Sequence, residues 1–241
     1  MAEFKQVLIG IQARSTSSRF PGKVFEMLGP KPVLSHVIDA AKKAIFYMNS
    51  HNRKTKRIVN IALLVPEKDE IVSKYKGCGV EIFQGSETDV LSRYHNAIKS
   101  TDSDYIVRIT GDCPLLPPYI ITKLITTACM GNYDYLTNAD HELRTSVDGN
   151  DCEVISRRMM EYLNEHALEK IHREHVTIYL RDHQPDWAKM GVVIGYLNMK
   201  EVKLSVDTPI DLENIRKEYE SIGSNLDKAY RKFGKTNVHR F

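Results

Sequence analysis

No stretch of the 241-residue chain approaches the roughly 18 consecutive apolar residues that a membrane-spanning helix needs, so any membrane role is peripheral and insertion is not expected. Charge of one sign is scarce as well. Lys and Arg number 34 against 31 Asp and Glu, and the resulting +3 is too mild to argue for nucleic acid as a partner. The cysteines Cys78, Cys113, Cys129 and Cys152 show no CxxC pairing and no zinc-like spacing. The first apolar run is too short for a secretory signal, so a reduced, cytoplasmic protein is expected. Two familiar phosphate fingerprints are also missing, since the first loop is not GxxxxGK[ST] and the chain has no GxGxxG. What remains is a chain long enough to bury a sizeable core in one α/β domain.

The organising stretch is VLIGIQARSTSSRFPGK, residues 7–23. Its first five residues are apolar with little alternation, which predicts a strand buried on both faces of a parallel sheet. The loop that follows gathers Arg14, Arg19 and Lys23 among Ser15, Thr16, Ser17, Ser18 and Gly22. Guanidinium forks, an ammonium and backbone donors beyond the carboxyl end of a strand suit a polyanion such as a nucleoside triphosphate. A solvated basic loop is the plainer reading of the same residues.

Further on, helical spacing over 32–44 predicts a packing helix with Pro32 at its start. Residues 46–57 read as a polar, basic loop. Strands follow at 57–65, 80–83 and 105–109, alternating with helices at 68–75 and 90–99, the latter capped by Ser86 or Thr88. Later elements are a helix at 120–130, a strand at 133–137, an acidic turn and strand through Asp148, Asp151 and Glu153, and a Ser156-capped helix at 156–168. Strands at 192–197 and 202–206 precede a helix opened by Thr208 and Pro209. The alternation argues for a doubly wound, mostly parallel α/β sheet with helices on both faces and a small antiparallel excursion. One domain is expected over 1–221, its excursion near 138–180, with a basic C-terminal extension over 222–241 that reads as a surface helix or an oligomer contact.

ARSTSSRFPGK followed by LGPKPVLSHVIDAA resembles the N-terminal signature of the cytidylyltransferases that make CMP-activated acidic sugars, and the chain is similar to the SpsF-type spore coat polysaccharide family. TGDCPLL at 110–116, DGNDCEV at 148–154, REHVT at 173–177 and SVDTPIDLE at 205–213 follow in the family's order, covering roughly 7–220. Arg144-Thr-Ser-Val stands where the family has an aromatic-Pro lead-in. The resemblance implies a Rossmann-like nucleotidyltransferase fold and transfer of CMP from CTP to an acidic sugar, phosphorylated or phosphonate acceptor, with release of pyrophosphate, for surface glycan precursors. It implies Mg²⁺ held by Asp112 and Asp207, with Arg14 and Lys23 completing the catalytic set. Nucleotide contacts fall to Ala13, Arg14, Ser15, Arg19 and Lys23, with Gln84, Gly85 and Ser86 beside the pyrimidine. Acceptor contacts fall to Asp148, Asp151 and Glu153, and Arg173 and His175 are read as polar contacts to the acceptor or to a partner subunit. The partners expected are therefore CTP and a small acceptor, and a homodimer stays open. Two other activities compete: a GT-A-type glycosyltransferase, for which Asp112-Cys-Pro-Leu lacks the second Asp of a DxD motif, and a non-catalytic nucleotide-binding protein.

Overall fold

Val7, Leu8, Ile9 and Ile11 are each no more than 1 % exposed. The strand they form, β1 (Val7–Gln12), is therefore buried on both faces, as an apolar run without alternation requires. The computed structural model describes residues 5–51, 59–140, 142–143, 145–195, 201–222 and 236–240. In it β1 pairs in parallel with β4 (Val59–Pro66) on one side and with β6 (Tyr105–Thr110) on the other. β5 (Glu81–Gly85) lies outside β4, and β8 (Glu153–Ser156), β7 (Tyr135–Thr137), β9 (Met190–Gly195) and β10 (Thr236–Arg240) continue beyond β6. The order is β10-β9-β7-β8-β6-β1-β4-β5, with β8 antiparallel to both its neighbours and β10 antiparallel to β9. A separate two-stranded hairpin, β2 (Met27–Leu28) with β3 (Lys31–Pro32), follows the first loop.

Both faces of the sheet are covered because strand residues alternate between two cores. Ile9, Ile11, Leu63, Val107 and Ile109 pack with α1 (Val33–His51), α4 (Pro118–Gly131) and α7 (Pro209–Ile222). Leu8, Ala62, Leu64, Ile106 and Ile155 pack with α3 (Val90–Lys99) and α5 (Arg157–His166). Two short helices, α2 (Ile71–Lys74) and α6 (Lys170–His175), lie at the loop side. The doubly wound α/β fold is the one the alternation predicts.

Several local expectations are corrected. The first helix runs on to His51, because buried Ala44 and Met48 carry its apolar spacing past the expected end at residue 44, so 46–51 are helix and not loop. Residues 52–58 of that loop lie outside the described residues. The cap of α3 is Asp89, whose carboxylate accepts from the Ser92 N–H at 2.9 Å, while Ser86 Oγ accepts from the Asp89 N–H at 3.0 Å. Residues 202–206 form no strand; Lys203 makes only an isolated bridge to Asp148. Part of the tail joins the sheet: β10 pairs along β9, occupying an edge that would otherwise present unpaired backbone groups. The expected tail helix through Leu226, Tyr230 and Phe233 lies outside the described residues. Among the described residues no helix is long and apolar enough to cross a membrane.

Truncating Ile9, which is fully buried at the centre of β1, to Ala should lower unfolding free energy by about 2–5 kcal/mol in urea titration. A loss below about 1 kcal/mol would show that this strand is not the packed centre of the core.

Candidate active site

β1 and β6 run parallel, so their carboxyl ends open on the same edge, and the loops that leave them carry the cations and the first aspartate. The two strand ends are pressed together: a Cβ on Gly111 would stand 2.9 Å from that of Ala13 and 3.2 Å from the Gln12 carbonyl oxygen, to which the Gly111 N–H donates. Glycine is the residue this approach permits. The adjacent Asp112 is tied through its own carbonyl to the segment before α7, because the Val206 N–H donates to Asp112 O at 2.9 Å.

Lys23 closes the arrangement. Its Nζ donates to Asp112 Oδ2 at 2.6 Å, to the Val206 carbonyl at 2.6 Å and to Asp207 Oδ1 at 3.3 Å, and the residue is 8 % exposed. An ammonium has three protons, and all three are used. Exposed Arg19 donates to Asp207 Oδ1 at 2.8 Å, and Lys203 reaches Asp207 Oδ2 at 3.0 Å. Burial alone would raise the Asp207 pKa, but the bonds and charges from Lys203 and Lys23 hold it below the usual carboxylate range. Asp207 does not cap α7. Thr208 does, its Oγ1 accepting from the Asp211 N–H at 3.3 Å, while the Asp211 carboxylate accepts in return from the N–H groups of Asp207 and Thr208 at 3.1 and 2.8 Å, which leaves the Asp207 carboxylate to the lysines and Arg19.

Around this cluster lies a cleft of about 460 Å³ lined by Ala13, Arg14, Arg19, Lys23, Asp112 and Asp207, and also by Arg93, Arg108 and Glu174. Ser15 is held by its backbone, its N–H donating to Asp69 Oδ2 at 2.8 Å. Gln84, Gly85 and Ser86, expected at the pyrimidine, are not among the lining residues: Ser86 serves the α3 cap, the Gly85 carbonyl accepts from the Glu67 N–H at 2.9 Å, and Gln84 Oε1 lies 3.4 Å from the Lys68 N–H.

A second cavity of about 330 Å³ adjoins the first, sharing Arg108, Thr110 and His175. Asp151, Glu153 and His175, expected at the acceptor, line it together with Asp140, Arg181 and Gln184. Glu153 is 5 % exposed and pairs with Arg108, while accepting from the Tyr135 hydroxyl at 2.5 Å and the Thr177 hydroxyl at 2.6 Å. Burial on its own would lower the Arg108 pKa; the Glu153 carboxylate more than offsets this and the net shift is upward. Burial and the same carboxylate push the Tyr135 phenol well up. Glu153 thus holds Arg108, which lines both cavities, from the side of the second.

Arg173 and Asp148 do not line either cavity. Arg173 forms a two-toothed pair with Asp89 at 2.9 and 2.8 Å and donates to Asn164, tying α6 to the start of α3 and α5. Asp148 bonds through its backbone to Val202 and Leu204. His172 lies outside the cavities too, edge-on to Tyr179, and no metal site forms around it among the described residues. Arg93 and Arg108 escape the reading of motifs. The available signal for Arg93 is position: on the buried side of α3 it falls three residues after Val90 and four before Ala97, where an arginine stands out.

This sheet, with antiparallel β8 set beside a parallel half and the loops of that half forming a cationic cleft, is the nucleotidyltransferase-like α/β fold. The chain belongs to the cytidylyltransferase family, whose pattern it matches over residues 8–232. It is 29% identical over 232 residues to the spore coat polysaccharide biosynthesis protein SpsF of Bacillus subtilis, covering 92% of this chain and 89% of that one. A solved cytidylyltransferase from Leptospira borgpetersenii superposes with a TM-score of 0.79 at 26% identity, over 95% of both chains. The structure of CMP:2-keto-3-deoxy-manno-octonic acid synthetase complexed with CTP shares the fold at a TM-score of 0.64 and 14% identity, over 90% of this chain and 99% of that one. Of the three activities the sequence leaves in competition, family membership supports the first.

Two measurements check the site's electrostatics. A carboxylate whose pKa is depressed on folding stabilises the protein above its unfolded pKa and loses that contribution as pH falls below about 4. The unfolding midpoints of the native protein and of Asp207→Asn should therefore differ at neutral pH and converge in acid, whereas a constant gap would dismiss the charge pairing. Glu153→Ala, which strands a buried Arg108, should cost about 3–5 kcal/mol in chemical denaturation; a cost under about 1 kcal/mol would dismiss the hub.

Proposed function

We propose that the protein transfers CMP from CTP to a small acidic-sugar, phosphorylated or phosphonate acceptor, releasing pyrophosphate, in the synthesis of surface glycan precursors. The observation that carries this reading is the meeting of Lys23, Asp112 and Asp207 in a cation-lined cleft that opens onto a second, differently lined cavity.

The acceptor oxygen must attack an α-phosphorus already surrounded by negative oxygens, and the bond to the bridging oxygen must break as pyrophosphate takes up charge. Arg14 and Arg19, joined by Lys23 as it exchanges a carboxylate for a phosphate oxygen, answer the second demand by donating to the β- and γ-phosphates, where fixed cations gain as charge develops. Arg181, Gln184 and His175 in the adjoining cavity answer the first, orienting an anionic acceptor beside the nucleotide. An ionised nucleophile needs no base.

Asp112 and Asp207 fit a divalent cation such as Mg²⁺ by their chemistry: two hard carboxylates converge on one ammonium. No cluster of three or more protein ligands forms among the described residues, and Mg²⁺ ordinarily takes one or two carboxylates with phosphate oxygens and water. Bound there, the cation supplies Lewis-acid charge neutralisation at the phosphates. A cytoplasmic setting goes with this reading, since no disulfide forms among the described residues and Cys113, Cys129 and Cys152 are buried.

Pyrophosphate release should be followed with CTP, UTP and ATP against a panel of acidic and phosphorylated sugars. Asp112→Asn is expected to lower the rate by about a hundredfold or more with the circular dichroism spectrum unchanged. Undiminished release by that variant would remove Asp112 from the chemistry, and a product formed without pyrophosphate would replace nucleotidyl transfer with another reaction.

A further inference from the structure

Among the described residues of the first cleft, Arg93 is one whose surroundings do not account for it. It is 4 % exposed, on the same side of α3 as Val90, Leu91, Tyr94, Ala97 and Ile98. Its Nε and one of its terminal nitrogens, Nη1, are shut off from solvent, and neither finds a hydrogen-bond acceptor among the described residues. A guanidinium stays protonated under any ordinary condition, so it cannot escape burial by losing its charge. Burial is the main influence drawing its pKa down, and neighbouring Arg14 adds to the effect.

The carboxylates that act on it from nearby are committed elsewhere. Asp69 accepts from the backbone N–H groups of Ser15 and Ile71 at 2.8 and 2.9 Å, and Glu87 accepts from the Thr16 hydroxyl at 2.5 Å. The path of the side chain is nevertheless built in. A Cβ on Gly85 would stand 3.0 Å from Arg93 Cγ, so the absence of a side chain at the end of β5 makes room for the arginine stem. Arg93 lines the same cleft as Arg14 and Lys23.

A buried cation left without an acceptor destabilises the protein that carries it, and an oxygen acceptor arriving with a ligand removes the penalty. We propose that Arg93 is a nucleotide-holding residue, its guanidinium donating to an oxygen of the nucleotide bound in the first cleft, either a phosphate oxygen or the pyrimidine carbonyl. This rests on the proposed function for the nature of the ligand. It also places the role of Gly85 in seating Arg93, not in touching the base itself.

The test compares the full chain with Arg93→Met and Arg93→Lys, by thermal melting without ligand and by titration calorimetry with CTP, UTP, ATP, cytidine and inorganic tripolyphosphate. Methionine keeps much of the stem and removes the charge, so the ligand-free melting temperature should stay level or rise. CTP affinity should fall about ten- to a hundredfold, with lysine recovering part of the loss. A loss shared by tripolyphosphate assigns the contact to phosphate, and a loss shared by cytidine assigns it to the pyrimidine. A ligand-free melting temperature lowered by more than about 4 °C makes Arg93 a structural residue and overturns the proposal, as does undiminished affinity in Arg93→Met. If the native protein prefers UTP or ATP, the cytidylyl reading fails while Arg93 is still judged on the nucleotide that binds. If none of the five ligands binds, both fall.

Discussion

A lysine ammonium drawn out of water must be given acceptors for its three protons, and Lys23 receives them from residues 89, 183 and 184 positions further along the chain. That requirement fixes three distant segments at one point. The crossover after β1 supplies the cation, the loop after β6 supplies Asp112, and the approach to α7 supplies the Val206 carbonyl and Asp207. The Val206 N–H to Asp112 O bond reinforces the same junction from the backbone. The cluster also answers the opposite problem. Two carboxylates brought close would repel one another, and the shared ammonium, with Arg19 and Lys203 on its flank, is what permits their proximity. On the proposed reading, binding of nucleotide and cation is an exchange of partners among charges already held together, with little rearrangement of the backbone.

The division of the cleft depends on a second charge pair. Arg108 and Glu153 face each other across β6 and β8, an antiparallel pair inserted between two parallel segments. Because β8 runs against β6, the strand that brings Glu153 opposite Arg108 is approached from the Asp148–Asp151 turn, which places Asp151 at the second cavity. A parallel strand at that position would have delivered its carboxyl end instead. The reversal of one short strand thus converts a single ligand crevice into two adjoining cavities with a common wall, a suitable arrangement for two reactants that must meet in line.

Strongly periodic elements could be read from the sequence because their pattern is local. β1, the helix over 90–99 and the Ser156 cap of α5 depend on residues within a few positions of one another, and the cap is present as read, Ser156 Oγ accepting from the Met159 N–H at 3.2 Å. The convergence of Lys23, Asp112 and Asp207 was legible only through motif order, since no local rule brings residues so far apart together. What stayed hidden has physical causes of the same kind. The place of β8 between β6 and β7 is decided by long-range pairing; its four residues, EVIS, look like one arm of a local hairpin. The pairing of Arg173 with Asp89 is equally hidden, since its partner lies 84 residues earlier. Arg93 is hidden for a different reason: a single charge within an amphipathic helix ordinarily faces solvent, and only its place beside Val90, Tyr94 and Ala97 sets it on the buried side.

Val176 shows how backbone conformation and site geometry are coupled. It is a β-branched residue with φ +60° and ψ −64°, and the Thr177 N–H donates to the His175 carbonyl at 2.7 Å, closing a three-residue turn of the strained kind. Such a conformation costs about 1–3 kcal/mol and persists only where its surroundings impose it. Here they do so from two sides. The Val176 side chain is fully buried in the core shared with Tyr94 and Leu163, and Thr177 is bonded to Glu153. With residues 176 and 177 held in this way, the turn directs His175 outward, to the position where both cavities have it in their walls. The strain is therefore a consequence of joining core, charge hub and cleft through three consecutive residues.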